Sequence, residues 1–285
     1  MPELPDVTLY VEALARRVTG HRLDAIRLAS PFVLRTVEPG VAELAGRTVE
    51  DVRRIGKRIV LALEDERFVV VHLMVAGRFA WADAPGAKIP ARIGLAAFDF
   101  DRGTLLLREA SKKKRASIHL VRGAGGLAAH DRGGAEPLEV DLATFAAALT
   151  RERHTLKRAL TDQRLLSGIG NAYSDEILHR AKLSPMRRSD QLDDAAMRAL
   201  YEATRAVLSE WTERLRAEAG DRFPEGVTAF RPEMAVHGKY KSPCPVCAGT
   251  IMRIRYADNE ANYCPTCQTE GRLLADRSQI GRAHV

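Results

Sequence analysis

Six residues open the chain, Met1-Pro2-Glu3-Leu4-Pro5-Asp6, and their chemistry centres on one nitrogen. Removal of Met1 would leave Pro2 as a free secondary amine on a rigid ring. An α-amino group titrates near about 7.7–8.0, so a usable fraction is neutral and nucleophilic at neutral pH. Attack of such an amine on an aldehyde carbon gives an iminium ion, an electron sink for elimination. Glu3, next in the chain, is placed to shuttle protons. The hexapeptide suits a plain structural role equally well, because prolines stiffen the first turn of a helix. Taken alone it leaves both readings open.

A second group of reactive residues lies near the other end. Cys244-Pro245-Val246-Cys247 and Cys264-Pro265-Thr266-Cys267 are two C-x-x-C knuckles with sixteen residues between them. Two thiolates in each tight turn converge on one tetrahedral ion, and the pair of turns completes a closed shell. That chemistry points to one structural zinc held by Cys244, Cys247, Cys264 and Cys267, with no open position for an activated water. The alternation of Ile251–Tyr256 fits one arm of a zinc ribbon. All four cysteines of the chain lie here, which favours metal over disulfides and a reducing, cytoplasmic setting.

Positive charge gathers in three stretches, Arg53–Arg58, Lys112–Arg115 and Arg151–Arg158. Each alone is as compatible with a solvated face as with a polyanion site. Ser167-Gly168-Ile169-Gly170-Asn171-Ala172 is more pointed. Two glycines allow close backbone approach, and the helix that follows offers free N–H groups to a phosphate, with Asn171 adding an amide. Close packing of two helices would also need such a turn.

The 285 residues suffice for two cores of ordinary domain size. Lys and Arg number 44 against 37 Asp and Glu, a net charge of +7. That excess suits a polyanionic partner without proving one. No run approaches the ~18 apolar residues of a membrane span, and no basic-then-apolar leader opens the chain. Aromatic residues are only 6%, which leaves little for base stacking.

The elements that must position these groups follow from periodicity. Val7, Tyr10, Val11, Leu14 and Val18 mark a helix with one buried face, ended by Gly20. Eight short runs then predict strands at Arg22–Leu28, Thr48–Ile55, Arg58–Leu63, Phe68–Leu73, Arg78–Trp81, Ile93–Phe100, Thr104–Leu107 and Ile118–Val121. Their cadence, broken by turn residues, indicates an antiparallel β-sandwich. Residues 122–140 are glycine-rich and read as an irregular linker; Gly123-Ala124-Gly125-Gly126 lacks the spacing of a dinucleotide loop. Helical patterns follow, including Ala172–Lys182, with Tyr173, Ile177 and Ala181 on one face, and a long helix over about Leu192–Ala219. The expected organisation is a catalytic α+β sandwich at 1–132, a helical domain at 133–233, a zinc ribbon at 234–275 and an irregular tail at 276–285.

In that order the markers resemble the formamidopyrimidine-DNA glycosylase / endonuclease VIII family. The resemblance rests on Pro2-Glu3-Leu4-Pro5, Gly56-Lys57-Arg58, Ser167 through Leu178, and Val236-His237-Gly238 ahead of the ribbon. It spans Pro2 to about Leu274. It implies a sandwich with a leading helix, a helix–two-turn–helix domain and a zinc ribbon, with damaged double-stranded DNA as partner and a monomeric enzyme. It implies base excision with strand nicking: Pro2 as Schiff-base nucleophile on C1′, Glu3 as the acid that opens the deoxyribose, and Lys57 as a phosphate contact that assists β-elimination. Asn171 matches a phosphate-binding asparagine, and Lys157, Met74, Gly168 and Tyr173 are further DNA-contact candidates. Such an enzyme flips the target nucleotide out of the stack and draws salt-sensitive affinity from its basic residues.

Departures from the family pattern stand out. Asp6 replaces the usual glutamate. Aligned without gaps, Val75 and not Met74 takes the place of an intercalating methionine. The loop Glu109–Ser117 offers Lys112–Arg115 and no aromatic wedge. Asn259 falls where the ribbon carries an arginine tied to δ-elimination, with Arg253 or Arg255 as substitutes from the opposite arm. An abasic-site lyase, a glycosylase for another lesion and a non-catalytic damage-binding protein are the alternatives these departures leave.

Overall fold

A computed structural model describes residues 1–228, 230–256 and 259–275; the expected tail at 276–285 lies outside them. Helix α1 (Leu4–Val18) comes first, started by Pro5 in its first turn. Eight strands follow: β1 (Arg22–Leu28), β2 (Arg47–Ile55), β3 (Arg58–Leu63), β4 (Arg67–His72), β5 (Gly77–Ala82), β6 (Gly94–Phe100), β7 (Gly103–Glu109) and β8 (Ser117–Arg122). All pair antiparallel in the order β5-β7-β6-β1-β2-β3-β4-β8. Strands β1 and β2 share only two residue pairs, with irregularities at Leu23/Ala25 and Val49/Asp51. Bulges of this kind bend a sheet, and here they fold one strip into two facing layers. Leu23, Val49, Leu61, Val71, Phe79, Phe98 and Leu107 meet inside, where α1 adds Val7, Tyr10 and Leu14.

The segment after β8 departs from the irregular linker expected there. Gly123–Ala128 forms a short helix, α2, that presses Leu127 onto a small second core of Val60, Phe68, Val70 and Val121. Burial of one leucine overrides three weak helix formers.

Helices α3 (Leu142–Thr150), α4 (Leu156–Thr161), α5 (Asn171–Arg180) and α6 (Asp194–Ala219) follow. The turns through 162–170 join α4 to α5 as a helix–two-turn–helix. Strands β9 (Met252–Tyr256) and β10 (Asn259–Tyr263) pair as a hairpin, and α7 (Pro265–Thr269) closes the ribbon.

The chain divides into two compact units. Met1–Arg132 and Thr212–Thr228 make the first, and Gly133–Trp211 with the described residues beyond 229 makes the second. One division falls at Arg132/Gly133, and a second inside α6 returns Thr212–Thr228 to the first unit. Leu215 and Val227 pack in the sandwich core, with Ala219 and Phe223 against it, so apolar burial assigns this stretch to the first unit. Among the described residues no helix is long and apolar enough to cross a membrane.

Candidate active site and metal centre

Within the first unit the chemistry gathers at the start of α1. Pro2 and Glu3 are buried, Glu3 at 2% exposure. The Glu3 backbone N–H donates to Asp6 Oδ2 at 2.9 Å, which closes the first turn and fixes the direction of the residues before it. Asp6, shorter by one methylene than the glutamate usual in the resembled family, reaches the Glu3 N–H. Burial holds the N-terminal amine below its ordinary range. Glu3 and Asp6 oppose that shift, while Arg78 and Lys57 reinforce it. Four charged side chains from three elements therefore act on this one nitrogen, which belongs to Met1 in the unprocessed chain.

Each is positioned by local structure. Lys57 is buried at 7% exposure in the two-residue turn between β2 and β3, where Gly56 takes φ +58°. Glycine accepts that conformation without strain. Arg78 is the second residue of β5, and its only signal in the sequence is its place after the His72–Gly77 stretch. Its Nη1 donates to the carbonyls of Gly77 (2.6 Å) and Val75 (3.1 Å). Tyr10 of α1 ties β5 to the helix. Its hydroxyl accepts the Phe79 N–H at 3.3 Å, and its ring meets Phe79 edge-on at 5.6 Å.

The turn between β4 and β5 is tightly specified. Met74 adopts φ +53° and donates its N–H to His72 Nδ1 at 3.0 Å. A Cβ on Gly77 would lie 2.2 Å from the Leu73 carbonyl oxygen, so only glycine fits. Val75 is 55% exposed at the tip, while Met74 is half-buried beside it. Burial pushes His72 down to about 4, with Arg58, Lys57 and His119 adding to the effect, so it is a neutral acceptor.

In the second unit the glycine turn is braced from several sides. Gly168 has φ +79° and donates to Gln163 Oε1 at 2.9 Å, while Gln163 Nε2 donates to the Ile169 carbonyl at 2.7 Å. Gly170 stands at the N-cap of α5, and Asn171, its first residue, is partly exposed. Two of the expected DNA contacts are buried here. Lys157 is buried, and its Nζ donates to Asp175 Oδ1 (2.5 Å) and the Asn171 carbonyl (2.6 Å). Its ammonium braces the turn from within the second unit. Tyr173 is fully buried with its ring 6.1 Å from Trp211, a packing position. Helical periodicity had already placed it on a core face.

Asp175 and Glu176 extend the bracing into the ribbon. Asp175 Oδ2 pairs with His237 Nδ1 at 2.8 Å and accepts from Asn262 Nδ2 at 3.2 Å. Glu176 accepts the backbone N–H groups of Ala235, Val236 and His237 at 2.7–2.9 Å. Spacing in the sequence gave no sign of this network.

The four cysteines converge as their spacing requires. Their Sγ atoms lie within 4.8 Å of one another, with Cys247 and Cys264 3.4 Å apart. Four thiols of this geometry and a closed shell fit one structural zinc. His179 Nε2 of α5 approaches Cys244 Sγ at 3.3 Å, an outer partner of the kind that orients a ligand. On the ribbon hairpin, Arg253 sits over the Tyr240 ring at 4.2 Å and pairs with Glu260 at 3.5 Å. Arg255, across from Glu260 in the register, is exposed.

Three profiles match the chain in this order: formamidopyrimidine-DNA glycosylase N-terminal domain over 1–120, formamidopyrimidine-DNA glycosylase H2TH domain over 134–218, and the zinc finger found in FPG and IleRS over 241–269. A formamidopyrimidine-DNA glycosylase of Heliobacterium modesticaldum is 34% identical, with 94% of this chain and all of that protein aligned. The chain belongs to the formamidopyrimidine-DNA glycosylase family. A second member, from Thermus thermophilus, is also 34% identical over 95% of this chain and all of its own length. The Lactococcus lactis Fpg, solved with abasic-site DNA, superposes with a TM-score of 0.82 at 25% identity. It covers 94% of this chain and 99% of its own. This glycosylase family carries the sandwich, the helix–two-turn–helix and the zinc ribbon described above.

Proposed function

We propose that this glycosylase removes a damaged base from double-stranded DNA and then nicks the strand by β-elimination, with the Pro2 nitrogen as nucleophile. The observation that supports the reading is Pro2 buried beside Glu3 at the entry to α1, in a first turn closed by Asp6, with Lys57 buried in the β2–β3 turn of the same unit. Removing Met1 transfers the free amine to the proline ring. Burial of Pro2 favours the neutral, nucleophilic form of that amine, and Glu3 beside it is placed to move protons.

In the first step the Pro2 lone pair bonds to C1′ as the glycosidic bond breaks and the base leaves with a proton. Glu3 gives a proton to O4′, the sugar ring opens, and an iminium forms between Pro2 and C1′. That cation acidifies C2′. Loss of a C2′ proton and departure of the 3′ phosphate leave an unsaturated sugar still joined as an iminium, and water hydrolyses that iminium to free the amine. Lys57 offsets charge on the leaving phosphate. In the second unit Gly168, Asn171 and the N–H groups of α5 are proposed to hold backbone phosphate, with Lys157 as their brace. Val75, as the exposed apolar residue of the Met74 turn, is the candidate wedge for the vacated stack. Arg255 is preferred to Arg253 as a ribbon phosphate contact, because Arg253 is already engaged.

Borohydride trapping on an abasic-site duplex tests the reading. Met-processed protein should form a covalent adduct that Pro2→Gly abolishes. Tight binding with no adduct would favour a damage-sensing module, and mass spectrometry must find Met1 removed.

A further inference from the structure

The face of the sandwich opposite its main core ends in a group of basic side chains that the proposed chemistry does not use. The register pairs Arg58 with His72 across β3 and β4, and Val70 with His119 across β4 and β8. Alternation therefore puts Arg58, His72 and His119 on the same face as Val60, Val70 and Val121, the small core under α2. His130, just past α2, brings its ring to 4.8 Å from that of His119 at 65°. Arg58 Nη1 donates to the His130 carbonyl at 3.2 Å, and its Nε is buried without a partner. Among the described residues no carboxylate forms an ion pair with Arg58.

We propose that Arg58, His119 and His130 form a binding site for a backbone phosphate of DNA on this outer face. A half-buried guanidinium with no carboxylate in ion-pair contact and an Nε without a partner is costly, and an oxyanion would satisfy it. The planar fork of arginine matches phosphate in two-point contact. A metal cation is a poor occupant for the histidine pair, because the charges around it are Arg58, Arg35 and Arg132 against the single acid Asp131. His72 does not take part as a donor at Nδ1, which already accepts from Met74. Burial first and then His130, Arg58 and Arg35 hold His119 down to about 4; burial and Arg58 also lower His130. A bound phosphate reverses that balance, so occupation draws protons onto the imidazoles. The choice of DNA as phosphate source rests on the proposed function.

The test is the affinity of an undamaged duplex, followed by anisotropy across pH 5.5–8 and across salt. Wild-type affinity should rise as pH falls, and His119→Gln/His130→Gln should flatten that rise. Arg58→Gln should reduce the slope of log affinity against log salt by about 0.9, the value of one phosphate contact. Arg58→Lys, which keeps the charge, should restore most of that slope and guards against a folding artefact. Histidine ring signals that shift with duplex, and far less with inorganic phosphate, support a backbone phosphate. Shifts with inorganic phosphate alone, or variants indistinguishable from wild type in both slopes, overturn the proposal. Borohydride trapping is scored separately, so a wild type that forms no adduct but shows these slopes rejects the lyase reading and keeps this site.

Discussion

Glu3 and the N-terminal amine are neighbours in the chain, yet their tasks in the proposed reaction separate cleanly. Opening the deoxyribose of an intact nucleotide needs an acid at O4′, whereas an abasic sugar already exists partly as the open aldehyde. Glu3→Gln should therefore lose base excision by roughly 10²–10⁴-fold, the usual worth of general acid catalysis, while still trapping on abasic-site DNA. Equal loss on both substrates would remove Glu3 from the acid role. His72 supplies a second prediction. In the fold it titrates near 4, against about 6.5 for an unfolded histidine. Below about 6.5 the unfolded chain binds a proton that the fold refuses. Stability is therefore complete above that pH and declines as pH falls towards 4. His72→Gln should make the acid-side fall of the thermal midpoint shallower; an unchanged slope would show that His72 is not a source of it.

Among the elements, the β4–β5 turn concentrates most constraint in fewest residues. Gly77→Ala would force a methyl group against the Leu73 carbonyl. The expected cost is about 2 kcal/mol, typical of overpacking, with a further loss of excision on damaged duplex as Val75 and Arg78 shift. A variant with wild-type melting would mean the turn relaxes freely. The eight strands, α1 and the cysteine knuckles were legible because each carries a local period or spacing. Other features depend on contacts remote in sequence. Lys157 reads as one more cation in a basic run until Asp175 is found against it, and Arg78 reads as a strand residue until the amine is found near it. Helical period places Tyr173 on a core face, and its burial against Trp211 agrees. The helix at Gly123–Ala128 was missed because Leu127 pays for it through a core that propensity cannot see. Lys157→Met tests the bracing role: it strands the buried Asp175 charge, so the second unit should lose about 3 kcal/mol and the ribbon amides 235–237 should exchange faster.

At the scale of the whole molecule the sandwich and the ribbon differ in what keeps them folded. The sandwich closes on a long roster of fully buried aliphatic and aromatic side chains, whereas the ribbon's own cluster is Val236, Ile251, Cys244 and Cys264, with Ala235 and Cys267 at its margin. A core that small does not hold a hairpin without its ion, since zinc binding at such sites is itself folding free energy. Metal analysis should find close to one zinc per chain. Stripping it with a strong chelator should raise amide exchange through β9, β10 and α7. The loss should spread along Asn262 and His237 to Asp175, and along 235–237 to Glu176, reaching the start of α5 and the 167–171 turn. Strands β1–β8 should keep their protection, because none of their core residues depends on the metal. The stripped protein should then retain a borohydride-trappable amine while losing most affinity for duplex. Parallel loss of protection in the sandwich would show instead that the two units fold as one.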